Sequence, residues 1–313
     1  MDFNLRILGT ASAMPVSGKF QSAQALNVHG RFFLIDCGDG TQLQLIKYGV
    51  QLFKLDSIFI SHIHGDHVFG IFGLLSTLGM QGRRKPLNIF APSNFSSILD
   101  FFLSLYGEGL AYKIQFTSLA SDTIETIYSI DGVEVSAFPL NHRIETFGYM
   151  FKEKQPLYNV RKEAIKEYGL DFKEIAALKK GEDVIREGGE AISLDKAAYL
   201  PYKPRSYAYV SDTAPFSALS EWLKGIDLLY HETTYLQELQ SYAVERFHST
   251  TRDAAECALQ AGAGKLLIGH YSSRCRDLSL YEEECRSIFP ETYAASEGDF
   301  FELPLLRLKE NGL

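Results

Sequence analysis

Short apolar runs bounded by turn residues recur along the chain, and their lengths and periods predict alternating strands and helices. Residues 5–8, 25–28, 31–35, 57–60 and 87–91 read as strands. The second and third are joined at His29-Gly30 by a hairpin turn in which His29 is simply a turn residue. Strands at 114–119 and 123–130 follow, Asp131-Gly132 turns the chain, and 133–140 alternates apolar and polar positions as a half-buried strand does. Further strands are predicted at 146–152, 207–211, 227–230, 266–270 and 300–308. Helices are predicted at 41–48, with Leu43, Leu45 and Ile46 on its apolar side, and at 68–80. Others read at 93–106, with Ile98, Leu99, Phe102 and Leu103 inward, at 252–261 and at 278–288, and Thr213-Ala-Pro-Phe216 opens one more. Strand and helix alternate in both halves without a plain internal repeat, which predicts an α/β architecture.

Between 153 and 201 the texture changes. Lys154, Arg161, Lys162, Lys166, Lys173, Lys179, Lys180 and Arg186 are interleaved with a similar number of acids, and short helices read at 160–168 and 171–179. The simplest organisation is one domain over residues 1–313 with this segment as an insertion projecting from the core. A solvated helical lid with no binding role is the alternative.

Composition narrows the class. With 46% hydrophobic and 22% charged residues the chain is ordinary globular material. No run of eighteen apolar residues exists to span a membrane, and the N-terminus reads as a first strand, not a signal peptide. Cys37, Cys257, Cys275 and Cys285 form no C-x-x-C pair, so reduced thiols in a cytoplasmic protein are expected. The formal charge of −8 argues mildly against a nucleic-acid partner, although a local basic patch can bind RNA on an acidic protein.

The chemistry concentrates in Ser61-His-Ile-His-Gly-Asp-His-Val-Phe-Gly70, on the turn between a predicted strand and helix. His62, His64, Asp66 and His67 are imidazole and carboxylate donors of the type that hold Zn²⁺ or a similar divalent ion. Three of the chain's eight histidines fall within six residues here, too many for an incidental polar loop. Other such residues stand where apolar strands end: Asp36, His142, Asp212, His231 and His270. Asp36 opens the turn Asp36-Cys-Gly-Asp-Gly-Thr-Gln42, where it could hold the histidine loop or cap the next helix. The two glycines favour the supporting role, because they let backbones approach closely. Strand ends gathered at one edge would give two sites. His62, His64 and His142 would hold one ion, and Asp66, His67 and His270 the other, with Asp212 bridging. A shared water between two ions titrates near neutrality and suits attack on a phosphodiester. His231, Glu232 and His248 remain as candidates for stabilising the oxyanion or protonating the leaving group; the bland alternative is that both histidines cap helices.

The string H-x-H-x-D-H resembles the signature of the metallo-β-lactamase superfamily, and flanking motifs resemble one branch of it, ribonuclease Z. Leu8-Gly-Thr-Ala-Ser-Ala-Met-Pro15 resembles that family's opening loop, 36–42 its D-C-G-E-G-T-Q, His231-Glu-Thr-Thr234 its H-E-A-T, His248-Ser-Thr250 its H-S-T, and Gly269-His-Tyr-Ser-Ser-Arg274 its G-H-x-S-x-R. Seven of eight histidines fall in these motifs or at His142. The resemblance implies a four-layered αββα fold, two Zn²⁺ ions (or Mn²⁺ in their place), Asp66 as proton acceptor, a homodimer, and removal of 3′ trailers from precursor tRNA. It implies that His248, supported by Glu232, stabilises the phosphate or protonates the leaving group, that Ser249, Thr250, Lys203, Arg205 and Arg274 touch substrate, and that the 153–201 insertion grips tRNA. DNA is not an expected substrate. Three departures stand out. Gly169-Leu-Asp-Phe-Lys-Glu-Ile-Ala176 replaces a Gly-Pro-rich turn in an arm of balanced charge, Ser206 follows Pro201-Tyr-Lys-Pro-Arg205 where Asn is usual, and Cys275 stands where Tyr is common. The alternative activity is hydrolysis of small phosphodiesters, or of esters and lactones, on the same fold.

Overall fold

The computed structural model describes residues 1–274 and 277–308, so Cys275 lies outside the described residues. Among them, two seven-stranded sheets carry the chain. The first runs, edge to edge, Phe300–Glu302, Phe3–Gly9, Ala23–Val28, Arg31–Ile35, Leu55–Phe59, Leu87–Pro92 and Ile114–Leu119. The second runs Thr292–Ala294, Leu266–Gly269, Leu228–Glu232, Ser206–Val210, Phe147–Glu153, Val133–Pro139 and Glu125–Ile130. Each contains four neighbouring parallel strands, from Arg31–Ile35 outward in the first and from Ser206–Val210 outward in the second. Parallel strands send their C-terminal ends the same way, so the turns that follow them collect at one edge.

Alternation along each strand divides the side chains between two apolar layers. Outward, Leu34, Ile58 and Ile89 of the first sheet meet Leu45, Leu74, Leu78 and Leu99 from the helices Thr41–Lys47, Ile71–Met80 and Phe95–Tyr106. On the second, Ala208, Val210, Leu229 and Ile268 meet Leu219, Ala258 and Cys285 from Ser217–Trp222, Thr251–Ala261 and Leu278–Arg286. Inward, aromatic rings join the sheets: Phe33 and Phe151 centroids lie 5.6 Å apart, Phe59 and Tyr149 5.2 Å. Each such buried ring contributes roughly 1.5–3 kcal/mol relative to exposure. The result is the four-layered αββα sandwich. Tyr149 Oη donates across it to the Ile60 carbonyl at 2.6 Å, and Phe147 N–H to the Ser61 carbonyl at 2.9 Å, so the second sheet grips the chain where the histidine loop begins.

Several details depart from the sequence pattern. In Thr41–Lys47 the inward face is Thr41, Gln44 and Leu45, at i, i+3 and i+4, while Leu43 and Ile46 are 64% and 55% exposed. Gln44 is buried because its Nε2 donates to the Leu8 carbonyl at 2.8 Å. The 68–80 helix is two helices, Gly65–Val68 and Ile71–Met80. The break lies at Gly70, which sits so close to the 36–42 turn that a Cβ there would stand 2.1 Å from the Gly38 carbonyl oxygen. The last strand ends at Glu302, two residues before Pro304. The helix Gln240–Arg246 and strand Thr292–Ala294 were not foreseen. The hairpin was: His29 and Gly30 take φ of 52° and 81°.

Residues 152–205, with 130–133 and 304–308, form a second compact unit. Its own core holds Ala164, Leu170, Leu178, Val184, Ile192 and Ala197. The helices Lys162–Glu167 and Phe172–Lys180 form as the sequence predicts, the latter capped by Asp171 in a capping box with Glu174. Glu153 and Arg205 close the unit at its base, with the Arg205 guanidinium 2.6 Å from Glu153 Oε1.

Candidate metal centre and catalytic cleft

The strand Leu55–Phe59 runs into Ser61 and His62, and the short helix Gly65–Val68 begins with His64 at its N-cap. The change from extended to helical backbone turns His62, His64, Asp66 and His67 into one volume. The second sheet supplies the remainder from across the sandwich: His142 beyond Val133–Pro139, Asp212 beyond Ser206–Val210, His270 beyond Leu266–Gly269. One donor atom each from His62, His64, His142 and Asp212 lie within 4.8 Å of one another, and so do those of Asp66, His67 and His270. Asp212 faces both groups, with Oδ2 3.6 Å from His62 Nε2 and Oδ1 3.2 Å from His270 Nε2.

The donor set fits divalent cations. His62 Nε2 lies 2.9 Å from His64 Nδ1, and His67 Nε2 3.2 Å from His270 Nε2, so nitrogen lone pairs converge. His142 Nε2 and Asp212 Oδ1 are buried without a hydrogen-bond partner among the described residues. Such orphaned atoms cost about 1–3 kcal/mol each unless something binds them. Burial, reinforced by His67, His64 and His142, pushes His62 well below the usual imidazole range and leaves its lone pair available. Burial also leads the lowering of His64 and His142. At His67 burial is outweighed by Asp66, Asp212 and Asp36, which hold the imidazole well above its ordinary value; the same negative field favours a cation. Burial opposes the charge of Asp66 as well, but His67 and His270 hold its carboxyl far below the carboxylate range.

Asp36 braces the loop and does not cap a helix, since Gly40 holds the N-cap position of Thr41–Lys47. Its Oδ1 accepts from Ser61 N–H at 2.7 Å, and Oδ2 accepts from Ser61 Oγ at 2.8 Å and Tyr209 Oη at 2.6 Å. Oδ2 also lies 2.7 Å from His67 Nδ1, which directs Nε2 to the centre. Gly38 permits this, because a Cβ there would lie 2.4 Å from the Asp66 carbonyl oxygen.

Beside the cluster stands a second constellation. Glu232 Oε1 accepts from Thr213 N–H and Ser249 N–H at 3.1 and 3.0 Å and lies 2.9 Å from His248 Nδ1. Burial disfavours charge on both partners, yet Glu232 and Asp212 raise His248 to about 9, and His248 brings Glu232 down to about 2. Glu232 thus favours the imidazolium form of His248, with Nδ1 engaged and the ring lining the cleft. That cleft, about 760 Å³, is also lined by His64, Asp66, His142, Asp212, His270 and Arg274.

Other candidate residues fall elsewhere. His231 is on the opposite face of its strand from Glu232, because neighbours on a strand alternate. Its Nδ1 bonds the Glu232 carbonyl at 2.7 Å, and it lines a separate cavity with Phe216 and Cys257. It is not among the residues brought together. Ser249 and Thr250 are fully buried: Ser249 Oγ donates to the Thr213 carbonyl, and Thr250 caps Thr251–Ala261. Neither is among the residues that line the cleft. Arg205 is buried against Glu153, whereas Lys203 is exposed. The sequence reading missed Arg143 and Arg246, which line the cleft, and Phe247, whose carbonyl accepts from His142 Nδ1 at 2.9 Å. An arginine directly after a candidate ligand, as at His142-Arg143, was the available signal.

The two sheets and strand-end cluster define a metallo-β-lactamase-fold protein. The human tRNase Z short form superposes with a TM-score of 0.70 at 24% identity, covering 96% of this chain and 99% of that one. The metallo-beta-lactamase fold protein YhfI from Bacillus subtilis gives 0.68 at 17% identity, covering 96% and 100%. Sequence narrows this further. A protein from Cytophaga hutchinsonii named Ribonuclease Z is 43% identical over 302 residues, 96% of each chain, and one of the same name from Phocaeicola vulgatus is 39% identical over 295 residues, 94% of this chain and 96% of that one. The chain belongs to the ribonuclease Z family, and its residues 3–159 also match the model of the family described as Anti-Pycsar protein Apyc1. That shorter match contains the histidine loop and His142 but not Asp212, Glu232, His248 or His270.

Proposed function

We propose that this chain is a zinc-dependent phosphodiesterase that cuts the 3′ trailer from tRNA precursors and leaves a 3′-hydroxyl on the tRNA. The observation that carries this reading is the meeting, in one cleft, of the seven-residue donor cluster with the His248–Glu232 pair. His62, His64 and His142 would hold one ion and Asp66, His67 and His270 the other, with Asp212 facing both; imidazole and carboxylate suit Zn²⁺, with Mn²⁺ as the alternative. Such ions would supply a water of near-neutral pKa and offset charge on the phosphate. Asp66 takes the proton from the attacking water, whose oxygen forms the new bond to phosphorus as the bond to the tRNA 3′-oxygen breaks. His248 Nε2 donates to a phosphoryl oxygen or to that leaving 3′-oxygen, while Glu232 keeps the ring cationic and oriented. Arg143, Arg246 and Arg274 line the cleft and would meet flanking phosphates, which would give an acidic chain the local basic patch that RNA needs.

The unit of residues 152–205 we assign to gripping tRNA away from the cut. Exposed apolar side chains on Ile71–Met80 and Phe95–Tyr106 support a homodimer through those helices: Phe101, Leu105 and Tyr106 are 68%, 61% and 61% exposed. The free thiols of Cys37, Cys257 and Cys285 support a cytoplasmic location. The test is 3′-end mapping of a trailer-bearing precursor with and without chelator. A single chelator-sensitive cut after the discriminator nucleotide is expected. No cut, with hydrolysis of a small chromogenic phosphodiester retained, would overturn the substrate and favour small phosphodiesters.

A further inference from the structure

Thr234 lies 4% exposed between the two constellations, and its hydroxyl reaches both. Oγ1 is 2.6 Å from Glu232 Oε2, 2.8 Å from His270 Nδ1 and 3.2 Å from His248 Nδ1. A hydroxyl has one proton and two lone pairs, so the directions of these bonds follow from their partners. Glu232 is surrounded by donors: the N–H groups of Thr213, Ser249 and Thr234, and the His248 ring. A carboxylate so placed only accepts, and the Thr234 proton therefore goes to it. His270 Nδ1 must then donate its N–H to Thr234 Oγ1. That fixes the tautomer whose bare Nε2 points at Asp66 Oδ2, His67 Nε2 and Asp212 Oδ1, at 3.3, 3.2 and 3.2 Å.

We propose that Thr234 is a positioning residue that couples the metal centre to the proton-donating pair, through the chain His270 Nδ1–H to Thr234 Oγ1–H to Glu232 Oε2. One carboxylate thereby orients two imidazoles, His248 directly through Oε1 and His270 through the threonine. The backbone of Thr234 is anchored separately, by its N–H to Glu232 Oε2 at 2.9 Å and by its carbonyl, which accepts from Ser272 N–H at 3.2 Å. The hydroxyl can therefore be removed without releasing the turn. His270 itself sits at φ 59°, a left-handed conformation that a non-glycine residue keeps only when its surroundings enforce it.

The inference rests on the metal-binding part of the proposed function and needs no tRNA to test. Thr234→Val keeps the shape and removes the hydroxyl; Thr234→Ser keeps the hydroxyl and removes the methyl. Zn²⁺ affinity is measured by competition with a chromogenic chelator, alongside melting of the metal-free proteins. The expected result is a loss of about 10–100-fold in Zn²⁺ affinity for the valine variant, the range found when a ligand's supporting hydrogen bond is removed. The serine variant should bind near wild type, and kcat on a small phosphodiester should fall with valine and return with serine. Wild-type affinity in the valine variant would overturn the proposal. So would a serine variant as weak as valine, which would make the methyl packing the cause. Failure of wild type to bind Zn²⁺ would instead strike the proposed function.

Discussion

At the scale of single residues, the site depends on charges that burial would suppress. Burial opposes a charge on His248, and Glu232 and Asp212 outweigh it and raise the imidazole to about 9. The sign follows: a group raised to about 9 keeps its proton at neutral pH and loses it as pH rises through 9. The kcat of the wild-type protein on a small phosphodiester should fall above about pH 9. Glu232→Gln removes the charge that holds the proton, so this basic limb should move down towards neutrality, and kcat at pH 8 should drop on the order of 10²-fold, the usual worth of a positioned acid. A pH profile between 6 and 10 checks both, and a limb that stays in place in the variant would remove His248 from the proton-donating role. The pair was legible in the sequence because histidine is scarce here and His248 and Glu232 fall in recognisable motifs. His231, one residue before Glu232, shares the motif but not the site, because adjacent strand residues face opposite ways. Phe247 and the reach of Thr234 to His248 and His270 were not legible, because those contacts join segments farther apart in sequence, whereas Arg143 had its signal in the adjoining His142.

At the scale of elements, strands were read well wherever a β-branched or aromatic run met a turn signal. The pattern failed where a polar residue was drawn inward by a distant partner, as Gln44 is by the Leu8 carbonyl. It failed again where two close backbones broke a helix at Gly70. The charged stretch after residue 153 read as an insertion, and it has a core of its own. Its two ends meet at the Glu153–Arg205 pair, where Glu153 N–H donates to the Arg205 carbonyl at 2.9 Å. A short glycine-serine linker replacing residues 156–200 keeps that pair and should leave the two large sheets intact. The variant should hydrolyse a small chromogenic phosphodiester at the wild-type rate and cleave precursor tRNA poorly, through a raised KM. Equal loss on both substrates would mean that the unit supports the cleft and does not grip tRNA.

At the scale of the whole molecule, the candidate ligands come from both sheets. His62, His64, Asp66 and His67 follow a strand of the first, and His142, Asp212 and His270 follow strands of the second. Ions held between them would be cross-links across the open edge of the sandwich. They would also relieve buried orphans such as His142 Nε2 and Asp212 Oδ1. The aromatic layer between the sheets does not depend on metal, since Phe33, Phe59, Tyr149 and Phe151 are buried against one another. Chelation should therefore weaken the fold without dissolving it. A ligand that binds only the folded state at about 1,000 times its dissociation constant stabilises by about 4 kcal/mol. For a chain of this length that corresponds to a fall in Tm on the order of 5–10 °C when the metal is stripped. Circular dichroism at 25 °C should be unchanged by the chelator, and Zn²⁺ in excess of the chelator should restore the Tm. Asp212→Asn, which weakens a ligand facing both groups, should bring the Zn²⁺-loaded Tm most of the way to the metal-free value. Coincident melting of stripped and Zn²⁺-loaded wild-type protein would show that the cluster does not join the sheets through bound ions, and the proposed metal chemistry would fall with it.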